Sequence, residues 1–189
     1  MRKAYGFAFV YQNFMKRRMS VKINFQKYTI PKTFIKNKKK WIYDDIRKMD
    51  VLLTPEEMVR QKVIQFLLEE IKVPKYMIHV EAPLSYYHLE SNRRADILIL
   101  KKNDTDGVPI PLAVIECKSP SVILSNNDYA CFEQVLDYAY PLACDYIILT
   151  NGAESVIAAW DFKKEQYRDI KDLPVYDEMV KNSHQWVQE

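Results

Sequence analysis

The chain reads as an α/β sandwich in which helices flank a central mixed β-sheet. Three observations carry that expectation: a capped amphipathic helix starting near Thr54, two apolar runs joined by a polar turn between Arg93 and Pro120, and a helix followed by a strand between Tyr129 and Thr150. At 189 residues and 48% hydrophobic, the chain can bury one good core and is short for two large domains.

Each element has its own signal. Val21, Ile23 and Phe25 alternate with polar residues, which predicts an N-terminal strand, and Trp41-Ile42-Tyr43 predicts another. Thr54 then offers an N-cap, Pro55 the first helical position and Glu57 the third, completing a capping box. Val59, Val63, Phe66, Leu67 and Ile71 form an apolar stripe behind them, so this helix is expected to run to about Lys72. Residues 78–81 form a short strand ended by Pro83, and residues 93–120 hold two buried strands joined as a hairpin. A second helix is expected over residues 129–139, stopped by Pro141. Residues 145–150 are the next strand, Asn151-Gly152 a turn, and residues 156–160 a strand leading outward. The tail over residues 173–187 reads as helical. The resulting division is a basic arm over 1–40, an α/β domain over 41–162 and a C-terminal helical extension over 163–189.

The net charge of +3 hides a sharp asymmetry. Residues 1–43 hold 12 of the 28 Lys and Arg and none of the 25 acids, which leaves 16 basic against 25 acidic residues in the remainder. Lys36, Lys38, Lys39 and Lys40 are candidates for contacts to a nucleic-acid backbone, an attraction that would be salt-dependent and blind to sequence. The competing reading is a solvated, partly disordered leader. Met19-Ser20 also resembles a start context, which sets residues 1–18 apart as a segment that need not be native.

Several chemistries are excluded. Three glycines, Gly6, Gly107 and Gly152, leave no phosphate-cradling loop, so a nucleotide-driven motor or a kinase is out. His79, His88 and His184 have no zinc-ligand spacing, and Cys117, Cys131 and Cys144 have neither CxxC spacing nor an even count. Residues 4–15 loosely resemble a signal peptide, but Gln12 and Asn13 interrupt the run and no cleavage site follows. No stretch approaches the roughly 20 apolar residues that span a bilayer. A cytoplasmic protein with reduced thiols is expected.

The chemistry concentrates in the hairpin. Side chains alternate along a strand, so Glu116 and Lys118 share a face while Cys117 takes the other. Antiparallel pairing brings the start of the first strand beside the end of the second and places Asp96 next to Glu116. Two carboxylates and a lysine at the end of an apolar sheet suit a divalent metal with a cationic helper.

Asp96 followed 20 residues later by Glu116-Cys117-Lys118 resembles the PD-(D/E)xK nuclease motif. Its surroundings make the resemblance specific. Residues 54–61 (Thr-Pro-Glu-Glu-Met-Val-Arg-Gln), Arg94-Ala95-Asp96-Ile97, Glu116-Cys117-Lys118-Ser119-Pro120, Phe132-Glu133-Gln134 with Tyr138, and Leu149-Thr150-Asn151-Gly152 occur in an order and spacing similar to those of the N-terminal nuclease domain of type I restriction enzyme R subunits. Together they cover roughly residues 40–162. Ala95 stands where the motif name has proline, a position that shapes the turn and has no chemical role.

The resemblance implies a restriction-endonuclease-like fold and a metal-dependent DNA endonuclease of restriction or DNA-processing type. It implies that Asp96, Glu116 and the backbone carbonyl of Cys117 hold Mg²⁺ or Mn²⁺, that Lys118 assists at the transition state, and that Gln134 and Tyr138 match the QxxxY pattern of related nucleases. Glu57 matches an acidic residue near the metal in those relatives, and its capping box explains it equally well. Gln134 and Tyr138 share a helical face, as an ordinary amphipathic helix would also arrange. Arg60 and Arg94 are candidates for phosphate contacts or for pairing with a nearby Glu.

Members of the family continue into an ATP-driven translocase, so this chain is expected to be a nuclease domain without its own motor. Partner motor or specificity subunits, or a homodimer, would then supply control and duplex cleavage. The alternative is a catalytically inactive nuclease-fold module for nucleic-acid binding or assembly with partner subunits. A third reading treats Asp96 and Glu116 as ion-pair partners of Arg93, Arg94 and Lys118.

Overall fold

A computed structural model of the chain describes residue 21 and residues 23–124 and 129–183. Two sheets are present among the described residues: a small antiparallel one and a six-stranded one that carries the core.

The small sheet comprises β1 (Thr33–Lys36), β2 (Lys39–Asp44) and β3 (Met49–Leu52) in that order. The first turn is a two-residue hairpin, with Lys36 opposite Lys39 and both intervening residues, Asn37 and Lys38, at positive φ (52° and 61°). Such turns match the natural twist of antiparallel strands, and Asn tolerates the left-handed conformation better than most residues. On one face of β2, Ile42 and Asp44 are wholly buried against the body, while β1 is exposed throughout. Only the Trp41 strand of this sheet is legible in the alternation. The Lys36 to Lys40 run, for which a solvated, partly disordered leader is the competing reading, is a hairpin.

Helix α1 (Pro55–Glu69) follows. The Thr54 hydroxyl accepts from Glu57 N at 3.0 Å, half of the expected capping box. The reciprocal half is absent, because Thr54 N donates to the Leu52 carbonyl and the Glu57 carboxylate is drawn to guanidinium groups. Charge-assisted hydrogen bonds outcompete one to a backbone amide. The helix stops at Glu69, short of Lys72, where the chain turns into the left-handed region (φ 61°).

The main sheet runs β4 (Ile78–Pro83), β5 (Arg94–Lys102), β6 (Pro109–Cys117), β7 (Tyr146–Thr150), β8 (Ser155–Asp161) and β9 (Gln166–Asp169), in sequence order. All neighbours are antiparallel except β6 and β7, whose parallel pairing requires the crossover supplied by α2 (Tyr129–Ala139). Residues 112–117 and 146–150 are buried without a break. That continuous burial explains why their sequences are apolar runs and not alternations: both faces are covered. Helix α2 packs on β6 and β7, and α1 reaches β6.

Two expectations need correction. The predicted strand at Val21 to Phe25 reduces to one bridge, with Val21 N donating to Ser155 O at 2.7 Å. Asn24 then caps a 3₁₀ turn at Phe25–Lys27, which turns the Phe25 ring into the core against Tyr28 and Phe66. Within the predicted helical extension, residues 166–169 are instead the edge strand β9. Tyr167 seals that edge by stacking edge-on with Trp160 and donating its hydroxyl hydrogen to the Cys144 carbonyl at 2.6 Å. The extension's helix is α3 (Tyr176–Asn182). The arm residues 1–20 and 22, and the tail from residue 184 with His184, lie outside the described residues.

Candidate active site

The hairpin register sets the site. Ile97 lies opposite Ile115, and one step along the ladder puts Asp96 opposite Glu116. On the other side of β5, the pairs Val80 with Ile97 and Ala82 with Ala95 flank Glu81. Glu81, Asp96 and Glu116 therefore form a row across β4, β5 and β6. Glu81 has φ of 53°, a left-handed conformation unusual for glutamate that costs about 1–3 kcal/mol and is held by its surroundings.

Asp96 is engaged on both oxygens. Oδ1 accepts from Arg60 Nη2 at 2.7 Å and Oδ2 from the backbone N–H of Cys117 at 2.7 Å. The N–H and C=O of a residue in a regular strand point to the same neighbour, so the Cys117 carbonyl faces the Asp96 side as well.

Glu116 is nearly buried, with relative exposure of 3%. Oε1 accepts from Lys118 Nζ at 2.7 Å, while Oε2 is buried without a hydrogen-bond partner. Burial, followed by the charge of Asp96, pushes the Glu116 carboxyl up to about 7, against the opposing pull of Lys118. Lys118 is in turn held by the Gln134 side-chain oxygen at 2.8 Å, and Gln134 Nε2 donates to the Tyr138 hydroxyl at 3.2 Å. Burial works against the ammonium of Lys118, but the Glu116 hydrogen bond and charge outweigh it and raise its pKa. The expected trio Asp96, Glu116 and Lys118 is assembled, and Gln134 and Tyr138 continue it as one chain of hydrogen bonds.

Residues 55–174 match the family described as the type I restriction enzyme R protein N terminus (HSDR_N). The chain belongs to that family. A solved structure described as a fragment of an assigned HsdR subunit of a type I restriction enzyme from Vibrio vulnificus YJ016 is similar at 21% identity and a TM-score of 0.46. The match covers 68% of this chain and 25% of that one, so this chain spans about a quarter of its length. No curated protein matches.

The remaining candidates are placed unevenly within this family domain. Arg60 is 4% exposed and does not face solvent as a phosphate contact would. Its guanidinium meets Glu57 at 2.5 Å, Asp96 at 2.7 Å, Glu81 at 3.0 Å and Glu56 at 3.1 Å. Burial disfavours its charge, yet Asp96 and Glu57 more than compensate and raise its pKa. Glu57 is shared with Arg47, which also pairs with buried Asp44 at 2.7 Å. Arg94 is exposed at the first residue of β5.

Of the four candidate lysines, Lys36 and Lys39 share the outward face of the small sheet and Lys38 sits at the turn. Lys40 lies on the opposite face, paired with Ile35. Arg93 lies over the Tyr138 ring at 4.8 Å and pairs with Asp137 at 3.0 Å, not with Asp96 or Glu116.

Sequence reasoning missed Glu81, Glu56, Arg47 and Asp44. The i, i+3 and i, i+4 spacings of Glu57 and Glu56 from Arg60 could have shown the helical part. Glu81 had no local signal, because only strand pairing brings it there.

Among the described residues, no three His, Cys, Asp or Glu side chains converge as a ligand set for a metal ion. A small hard cation that keeps most of its waters needs only one or two carboxylates. The partnerless buried Oε2 of Glu116, beside a second carboxylate, fits that requirement. No helix among the described residues is long and apolar enough to cross a membrane.

Proposed function

We propose that the chain is a metal-dependent deoxyribonuclease domain that hydrolyses DNA phosphodiester bonds in a restriction or DNA-processing system. The observation that carries this reading is the Glu116 carboxylate, buried across from Asp96 with one oxygen unpartnered and its charge disfavoured. Lys118 compensates one oxygen of that carboxylate, and a buried oxygen left without a partner is expensive unless a second cation completes it. Asp96, Glu116 and the Cys117 carbonyl would hold Mg²⁺ or Mn²⁺. When bound, such an ion supplies positive charge to a phosphate and makes water a better nucleophile at neutral pH.

The chain's own groups do the rest. Lys118 keeps its proton, so its ammonium stabilises charge developing on phosphate oxygens. Gln134 holds the ammonium on the Glu116 side, and the Tyr138 hydroxyl orients Gln134. Glu57 acts at one remove, by orienting Arg60, which in turn orients Asp96. Lys36, Lys38, Lys39 and Arg94 are exposed and suit contacts to the DNA backbone. Motor and specificity subunits, or a second copy of the chain, would direct the cut.

One observation favours a second reading. Arg60 and the Cys117 amide already satisfy both oxygens of Asp96, as in a structural ion pair within an inactive module. A nicking assay on supercoiled plasmid with Mg²⁺ or Mn²⁺ separates the two. The nuclease reading expects cleavage by the wild type, its loss with EDTA, and a drop of about 100-fold or more in Lys118→Ala, by analogy with removal of one transition-state donor. No divalent-dependent nicking supports the inactive module, and equal nicking by the variant defeats the nuclease reading centred on Lys118.

A further inference from the structure

The small sheet has an outward face that the candidate active site does not use. The register places Phe34 opposite Trp41, Tyr43 opposite Asp50 and Lys36 opposite Lys39. Side chains alternate across a strand, so Phe34, Lys36, Lys39, Trp41 and Tyr43 stand on one face, opposite to the face that buries Ile42 and Asp44. Phe34 is 38% exposed and Tyr43 47%. The indole between them is pinned: Trp41 Nε1 donates to the Lys36 carbonyl at 3.0 Å, and Lys36 Nζ lies 5.4 Å from the ring centroid. Lys38 extends the cationic end at the hairpin turn.

We infer that this face docks an unpaired segment of nucleic acid, with bases stacking on Phe34, Trp41 and Tyr43 and phosphates meeting Lys36, Lys38 and Lys39. Charge complementarity selects the occupant. The face carries three lysines against one acid, Asp50, which pairs with Lys36 at 3.7 Å. The chain's own N-terminal segment cannot complement it, because residues 1–43 contain no acid at all.

The aromatic side chains then select the form of the polyanion. Paired bases stay stacked on each other inside a duplex, whereas unpaired bases offer a π-face to any ring, whatever the base. The inference takes DNA as the polymer from the function proposed above, and adds that an unpaired stretch is the preferred form at this surface.

The sheet is also joined to the candidate active site. Asp44 at the end of β2 accepts from Gln61 at 2.8 Å and pairs with Arg47, which reaches Glu57 and through it Arg60 and Asp96. A strand held on the outward face is thus anchored to the element that positions the carboxylates.

The test is binding without cleavage. Fluorescence anisotropy of the full chain with labelled oligothymidylate, and with a duplex of equal length, is measured in EDTA across a salt series. The expected result is tighter binding of oligothymidylate, weakened about tenfold or more in Phe34→Ala/Tyr43→Ala with duplex affinity little changed. Tyr43→Phe keeps the ring and should bind as the wild type. Lys36→Gln/Lys39→Gln should flatten the salt dependence by about 1.4 units of slope for oligothymidylate and by at most about 1.8 for the duplex.

Equal oligothymidylate affinity in the wild type and the double alanine variant overturns the inference. So does a preference for duplex, or binding of anionic phosphatidylserine vesicles with no binding of oligothymidylate. Absence of nicking with Mg²⁺ would defeat the nuclease reading and leave this one standing, since no step here requires a metal.

Discussion

Arg60 and Asp96, 36 residues apart in sequence, meet at 2.7 Å, and through that contact helix α1 is tied to the end of the central hairpin. The guanidinium is 5% exposed at its side chain and the carboxylate 13%, so the guanidinium has little water to turn to for compensation and the carboxylate is partly shielded. One cation thereby organises acids from α1, β4 and β5.

Removing that cation should be severe. Arg60→Gln leaves Glu57 buried beside Asp96 with one fewer partner, and breaking a buried pair by deleting one member costs about 3–5 kcal/mol. Urea denaturation of the variant against wild type checks this, and a loss below about 1 kcal/mol would contradict the assigned role. Asp96→Asn in the same background should cost less than in the wild type, because the two side chains share one interaction.

Glu116 makes stability depend on pH in a definite direction. Its folded-state pKa of about 7 stands above the ordinary 4.5, so the folded chain binds the proton more tightly than the unfolded one. Its contribution is therefore favourable below about 4.5 and is lost as pH rises to about 7. Glu116→Gln should remove that part of the decline, leaving a variant more stable than wild type near pH 8 in EDTA. Thermal melts across pH provide the check, and parallel curves for the two proteins would refute it. Mg²⁺ or Mn²⁺ should raise the wild-type melting temperature more above pH 7 than near pH 5, and should leave Glu116→Gln little changed.

Gly152 is constrained twice. Its φ is 85°, and a Cβ built there would stand 3.1 Å from Val59 Cγ2. Gly152→Ala should destabilise by about 1–2 kcal/mol from the backbone conformation alone, with the crowding of α1 added. Val59→Ala should relieve the crowding in the double variant but not the backbone cost. Chemical denaturation of the four proteins separates the two contributions, and full relief would show that the turn conformation itself is unstrained.

Much of the fold could be read locally. The cap at Thr54, the apolar runs of β5 and β6, and the Pro141 stop after α2 each rest on residues adjacent in sequence, and the structure reproduces them. The failures share one cause. Val21 to Phe25 alternates as a strand would, but among the described residues its one backbone bridge is at Ser155, and Phe25 gains more by entering the core. β9 lacks a strong pattern and exists because β8 has an edge to pair. The small sheet was hidden in a charge run whose informative residue was Asn37, not its lysines.

The same division holds at the site. The sequence by itself determined the family, the hairpin and the alternation that puts Glu116 and Lys118 on one face, because period and spacing are local properties. Only the tertiary structure decided that Glu81 joins the row, that Arg60 is buried among acids and not offered to phosphates, and that Lys40 parts from Lys36 and Lys39. These depend on strand pairing and on which charges lose their water together. Neither the register between strands distant in sequence nor the desolvation of a charge is encoded in the residues next to it.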